Sequence, residues 1–171
     1  MFVRESSSDM ITDHMHLYLQ LNVERNCVID IVHARQIIEP SMAALAAINH
    51  THEDSDRLQA DIEEFKSCDG GFAQLALLDM KFHLDISKAS QNSLMPLILA
   101  PIHKLIPEIK SSVYATNVDA KESALKWHQQ ILEGILNRDP EKARSAMIQH
   151  LQIAEEHAEK MLKIQASISK V

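Results

Sequence analysis

The sequence is poor in residues that bend or break a chain. Three glycines and five prolines occur in 171 residues, and aromatics make up 4%. So few turn signals exclude a sandwich or barrel of many short strands, which needs them about every 8–12 residues. Two cysteines, Cys27 and Cys68, form no CxxC pair and are too few for a disulfide framework. They suit small buried positions in a reducing cytoplasm. No cluster of lysine and arginine stands out and the formal net charge is −7, which excludes a free-standing nucleic-acid interface. If DNA is contacted, another segment must touch it. No apolar run approaches the roughly 20 residues that cross a bilayer. The start, MFVRESSSDM, has neither a secretory nor a transit pattern. A cytoplasmic protein without a membrane partner is expected.

What is abundant is the material of helices. Hydrophobic residues make up 46%, with Ala, Leu, Ile, Met, Glu and Lys dominant. The length suits one domain with a sizeable core. Periodicity and breakers predict an extended stretch over 1–6, a helix from Ser8 to Leu21 and a break over 22–26. A long helix follows from Val28 to Asn49, with Pro40 inside it as a kink. The next helix opens at Thr51–Glu53, with Thr51 or His52 near its cap, and runs to Lys66 before Asp69–Gly71. Further helices are expected over Phe72–Ser90, Ala120–Asn137 and Glu141–Gln165. Between them, Leu94–Tyr114 reads as one apolar helical segment made irregular by Pro96, Pro101 and Pro107. The fold class is all-α, an antiparallel bundle of about seven helices.

Three of these helices carry metal-type residues within their apolar stripes. Asp79 and His83 are four apart and share a face with Leu75, Ala76, Phe82 and Ile86. His128 stands among Ala124, Leu125, Ile131 and Leu132, and His150 among Ala146, Met147, Ile153 and Ala154. A buried carboxylate without a partner costs several kcal/mol. Buried imidazoles also need hydrogen-bond partners. Four such groups pointing inward share a partner most simply in one divalent transition metal, zinc first, with nickel, iron or manganese as alternatives. A satisfied core histidine is the ordinary reading of any one of them taken alone. His157 lies on the same stripe as His150 and stays open as a rival ligand. The remaining histidines, His14, His16, His33, His50, His52 and His103, read as solvated or locally hydrogen-bonded.

Arg35 sits between Val32 and Ile38 on an apolar stripe. It suits a buried salt bridge with Glu39 one turn on, and equally a clamp for a ligand carboxylate. Asp79, Arg35 and a divalent ion together leave a cavity with two positive charges, which favours an organic acid.

The helix RQIIEPSMAALAA (35–47) resembles the R-x-x-[IL]-E-x-x-[AM]-A-x-[LM]-A-A pattern of the FCD domain, the C-terminal domain of FadR-type GntR transcription regulators. DMKFHLDISKASQNSLM (79–95) is similar to that family's D-x-x-F-H block, and HQQILEGILNRDPEKARSAMIQHL (128–151) to its closing block. The three blocks stand in the family's order. Gly134 departs from the usual alanine, a mild change inside a helix, and Ser93 from a frequent proline. The resemblance implies a FadR C-terminal-like bundle with a central metal held by Asp79, His83, His128 and His150, the last chosen over His157. Arg35 and Asn92 match pocket positions, though Asn92 also reads as a helix cap. It further implies a small carboxylate effector, a homodimer, and allosteric control of DNA through a winged helix-turn-helix domain. MFVRESSS (1–8) resembles the last strand of that domain's wing, so residues 1–7 are expected to be its remnant or linker and 8–171 the sensor domain.

Two other functions fit an inward metal cluster. A metalloenzyme would want paired Glu-x-x-His motifs or a second inward carboxylate as general base, and the sequence offers neither. A metal-stapled dimerisation module would have no cavity beside the ion.

Overall fold

In the computed structural model, residues 13, 14, 17 and 28–168 are described. Helices α1 (Val28–Asn49), α2 (His52–Ser67), α3 (Gly71–Ala89), α4 (Leu94–His103), α5 (Ile106–Thr116), α6 (Ala120–Leu136) and α7 (Pro140–Ile168) follow in chain order. Among the described residues there is no strand. The extended stretch expected over 1–6 and the break over 22–26 lie outside the described residues. Of the expected Ser8–Leu21 helix, residues 13, 14 and 17 are described, and they are helical.

Local chemistry accounts for most boundaries. Thr51 caps α2: its side chain accepts from the Asp54 backbone, and the Asp54 carboxylate accepts from the Thr51 N–H at 2.9 Å. Gly71 has φ 84°, a left-handed conformation that glycine adopts freely between α2 and α3. The stretch 94–114 is two helices rather than one irregular segment. Pro107 lacks the N–H that would continue α4 into α5, and it is tolerated in the first turn of α5, where that N–H has no partner to lose.

Helix α7 packs along α1 and α6, and α3 lies against α1, α2, α4 and α5. Gly134 is where α6 meets the start of α7. A Cβ there would come within 2.6 Å of the Ala143 backbone nitrogen, so this departure from the family pattern is a close-packing requirement and not a mild change.

The core has two apolar clusters. One includes Met42, Leu58, Phe82, Ile86, Ile131 and Met147. The other includes Phe65, Leu75, Val113, Tyr114, Ala124 and Met161. Each fully buried aliphatic or aromatic side chain stabilises the fold by about 1.5–3 kcal/mol. Along α3, Asp79 and His83 fall between Leu75 of one cluster and Ile86 of the other. His128 separates Ala124 from Ile131 on α6 in the same way. The bundle therefore holds a polar layer between two dry ones.

Candidate metal centre and effector cavity

The four residues picked out by their inward position meet in this layer. Asp79, His83, His128 and His150 are all buried, and each offers a ligand atom within 4.8 Å of the others. His83 Nε2 and His150 Nε2 are 3.1 Å apart, His128 Nε2 and Asp79 Oδ1 are 3.5 Å apart, and His83 Nε2 and Asp79 Oδ2 are 4.0 Å apart. Neighbouring ligand atoms on a metal with bonds near 2.0–2.1 Å lie about 2.9–3.4 Å apart, and opposite ones about 4 Å. Both nitrogens of His128 and Oδ2 of Asp79 lack a hydrogen-bond partner among the described residues. Buried polar atoms without a partner are rare. Three nitrogens and a carboxylate oxygen converging on one point fit a divalent transition metal by donor type and spacing. The His128 ring is wedged against Phe82 and Phe65, with centroids 4.5 Å and 5.1 Å away, which fixes its direction.

Around the four lies a buried shell of charge. Arg35 Nε donates to Glu39 Oε1 at 2.6 Å, and Arg35 Nη2 lies 3.2 Å from His83 Nε2. Glu39 Oε2 is 2.6 Å from His83 Nδ1, and Glu39 Oε1 is 2.8 Å from His103 Nε2. Burial pushes the Glu39 carboxyl up, but Arg35, His83 and His103 more than offset it and hold it well below the usual range. Arg35 only donates, so Nε2 is the accepting nitrogen of the His83 ring, whereas Nδ1 makes no well-aligned hydrogen bond among the described residues. Lys110 Nζ donates to Asp79 Oδ1 at 3.1 Å, and Tyr114 Oη does so at 3.0 Å. Burial raises the Asp79 carboxyl, yet Lys110 and the three histidines keep it well below its ordinary value.

The imidazoles of His128 and His150 are biased toward the neutral, ligating form. Burial is the main cause for His128 and His150, which lie well below the ordinary histidine value, with the neighbouring histidines and Lys110 adding to it. Burial also lowers His103, to about 4, against the pull of Glu39.

Asn92 stands apart. It is exposed, and its Oδ1 accepts from the Leu94 N–H at 3.1 Å at the start of α4. His157, the rival for His150, is half-buried and lines the neighbouring cavity. Arg35 forms the expected buried pair with Glu39, and it also lines that cavity.

Two sequence expectations need correction. His103 is neither solvated nor locally bonded; it is fully buried and bound to Glu39 across the bundle. Asp79 is not the sole inward carboxylate, because Glu39 is 1% exposed. Lys110 and Tyr114 were also overlooked. Lys110 follows the pattern that marked the histidines, a polar residue flanked at helical spacing by Ile106 and Val113.

Beside the cluster lies a cavity of about 540 Å³, counting the part open to solvent. Arg35, Lys110, Tyr114 and His150 line it, together with apolar residues of α1, α5 and α7. A metal that served only as a staple would leave no such space.

Comparison with known proteins agrees with this architecture. The family described as the FCD domain matches residues 30–153, a span that contains all four cluster residues and Arg35. The Exu regulon transcriptional regulator of Escherichia coli is 30% identical over 130 residues, covering 72% of this chain and 48% of that protein. The HTH-type transcriptional regulator LutR of Bacillus subtilis is 26% identical over 137 residues, covering 77% and 62%. The chain thus spans about half to three-fifths of the length of these relatives. A solved structure, Streptococcus agalactiae GntR, superposes with a TM-score of 0.69 at 23% identity, covering 81% of this chain and 64% of that one, which shows the shared fold. The relatives are named as regulators, so the enzyme alternative falls. The chain belongs to the FCD-domain family, the all-α effector-binding regulatory domain of GntR-type transcription regulators.

Proposed function

We propose that this domain holds one divalent transition metal, zinc first, through Asp79, His83, His128 and His150, and senses a small organic acid there. The observation that carries the reading is the unpartnered face of His128 together with the bare Oδ2 of Asp79, aimed into a fully buried cluster. Such a metal would supply two positive charges and, where it takes six ligands rather than four, further positions for a carboxylate oxygen. Glu39 and Lys110 add one charge of each sign, so the site keeps its preference for an anion.

The residues divide the work. Glu39 anchors Arg35 and lies beside His83 Nδ1. His83 Nε2 has one lone pair, which Arg35 Nη2 shares at 3.2 Å. When that lone pair is given to a cation, Arg35 Nη2 is free to pair with an acid's carboxylate. Arg35 is on α1, whereas the cluster is on α3, α6 and α7, so an acid bridging them biases how α1 packs. An acid that binds one packing better shifts the population toward it. In the whole regulator, a homodimer in the cytoplasm, that shift would respace the winged helix-turn-helix domains that contact DNA. No helix among the described residues is long and apolar enough to cross a membrane.

The test is metal analysis and zinc calorimetry on the purified chain and on His128→Ala. The reading requires one metal per chain in the parent, and loss of both metal and acid binding in the variant. A variant that keeps stoichiometric metal and unchanged acid affinity rules it out.

A further inference from the structure

The cavity beside the cluster is chemically one-sided. Its polar end is formed by the charged Arg35 and Lys110 and the neutral imidazole of His150. From there α1 recedes through Val32 to Val28, and α7 recedes through Ile153 to Ala158. Each path covers seven or eight residues, roughly 10–12 Å at the helical rise. Helix α5 closes the third side with Ile109 and Val113. Tyr114 is engaged by Asp79. The remaining polar lining groups among the described residues are Ser123 and His157.

We infer that this cavity selects carboxylates with a compact apolar body and disfavours polyhydroxylated acids of similar size. The inference rests on the reading above that an acid's head binds at the Arg35 and His150 end. A body extending from that head lies along Val28, Val32, Ile153 and Ala158, where burial of each methylene is favourable. A polyol chain in the same place loses water at every hydroxyl and finds only Ser123 and His157 as partners. One methylene in a fitted apolar pocket changes affinity by about 10-fold or more, and a hydrophobic pocket discriminates against hydroxyls by up to roughly 100-fold. Ile153 is half-buried, so its side chain can be changed with little demand on the core.

The experiment is calorimetric titration of the zinc-loaded chain with acetate, hexanoate and gluconate, with zinc content measured separately. Hexanoate should bind at least about 10-fold tighter than acetate and roughly 100-fold tighter than gluconate. Ile153→Thr, checked for an unchanged thermal unfolding midpoint, should weaken hexanoate about 10-fold and gluconate far less. Gluconate binding as tightly as hexanoate, or no gain from acetate to hexanoate, overturns the inference. So does a zinc-loaded chain that binds none of the three, while the metal assignment survives. If the chain takes up no zinc, the metal assignment fails, and the same ranking is required of the metal-free chain, where Arg35 and Lys110 remain; a lost ranking there overturns the inference as well.

Discussion

Two regions of this bundle bury carboxylates, and they do so in opposite ways. In the seam between α2 and α3, Asp61 and Asp85 are 1% and 2% exposed. Lys81 Nζ lies 2.8 Å from Asp61 Oδ1, and Lys88 Nζ lies 2.7 Å from Asp85 Oδ1. Both lysines keep about half their side chains in solvent, so their ammonium groups reach inward while staying hydrated. Arg57 spans the same seam, pairing with Asp54 and lying 3.5 Å from Asp85. In the central layer no such help comes from outside. Asp79 Oδ2 and both nitrogens of His128 are buried without a hydrogen-bond partner among the described residues, although Asp79 Oδ1 is held by the buried Lys110 and Tyr114. Buried charge met by the protein's own counter-charges is structural. Buried ligand-type atoms without a partner, gathered within 4.8 Å of one another, are the ground for the metal proposed above.

The sharpest way to break this contrast is His128→Ala. Zinc affinity should fall by more than roughly 100-fold, since altering an outer residue that merely orients a ligand already loses about 10–100-fold. Calorimetry that finds zinc still bound with parental affinity would make the central layer a second structural seam. Glu39→Gln is the next largest effect. It removes the anion that anchors Arg35 and faces His83 and His103, and zinc affinity should fall by about 10–100-fold in protein that remains folded by circular dichroism.

The seam responds to pH instead. Burial raises Asp61 from an ordinary 3.8 to about 6, with Asp85 adding to the rise and Lys81 opposing it. The folded chain therefore binds that proton more tightly than the unfolded chain. Asp61 lowers stability as pH rises through the window from 3.8 to about 6, and the loss is complete above it. After discounting for solvent reaching the pair through Lys81, the effect is about 1–2 kcal/mol. Denaturant titrations of Asp61→Asn should be flatter than the parent across this window, and zinc affinity should not change. Parallel curves for the two proteins would contradict the assignment. Smallest of all is Lys81→Met below about pH 5, where Asp61 is already protonated and the half-exposed contacts of the lysine should account for under about 1 kcal/mol. A large loss of zinc binding in that variant would join the two regions into one network and remove the contrast.

The centre was more legible in the sequence than its surroundings, for a simple reason. Asp79, His83, His128 and His150 each interrupt an apolar stripe, and helical periodicity says that such a residue points inward. Lys110 obeys the same rule but is easily passed over, because a lysine stem often covers apolar surface while its head reaches water. Glu39 was visible only as a neighbour of Arg35 one turn away. His103 gave no sign, since its partner is on another helix and no pattern along α4 points to it. Asn92 shows the reverse: its place in a motif suggested the pocket, whereas the bond to Leu94 makes it a local turn residue at the surface.

What the sequence determined alone is the set of helices, their buried faces and the identity of the inward polar residues, because these follow from a period of 3.6 and from breakers within a few positions. The tertiary structure decided which of those faces meet. It brought His83 and His103 to the one carboxylate of Glu39, and left a cavity charged at one end and greasy at the other. Each of these depends on distances between helices far apart in the chain, which periodicity within a single helix does not encode.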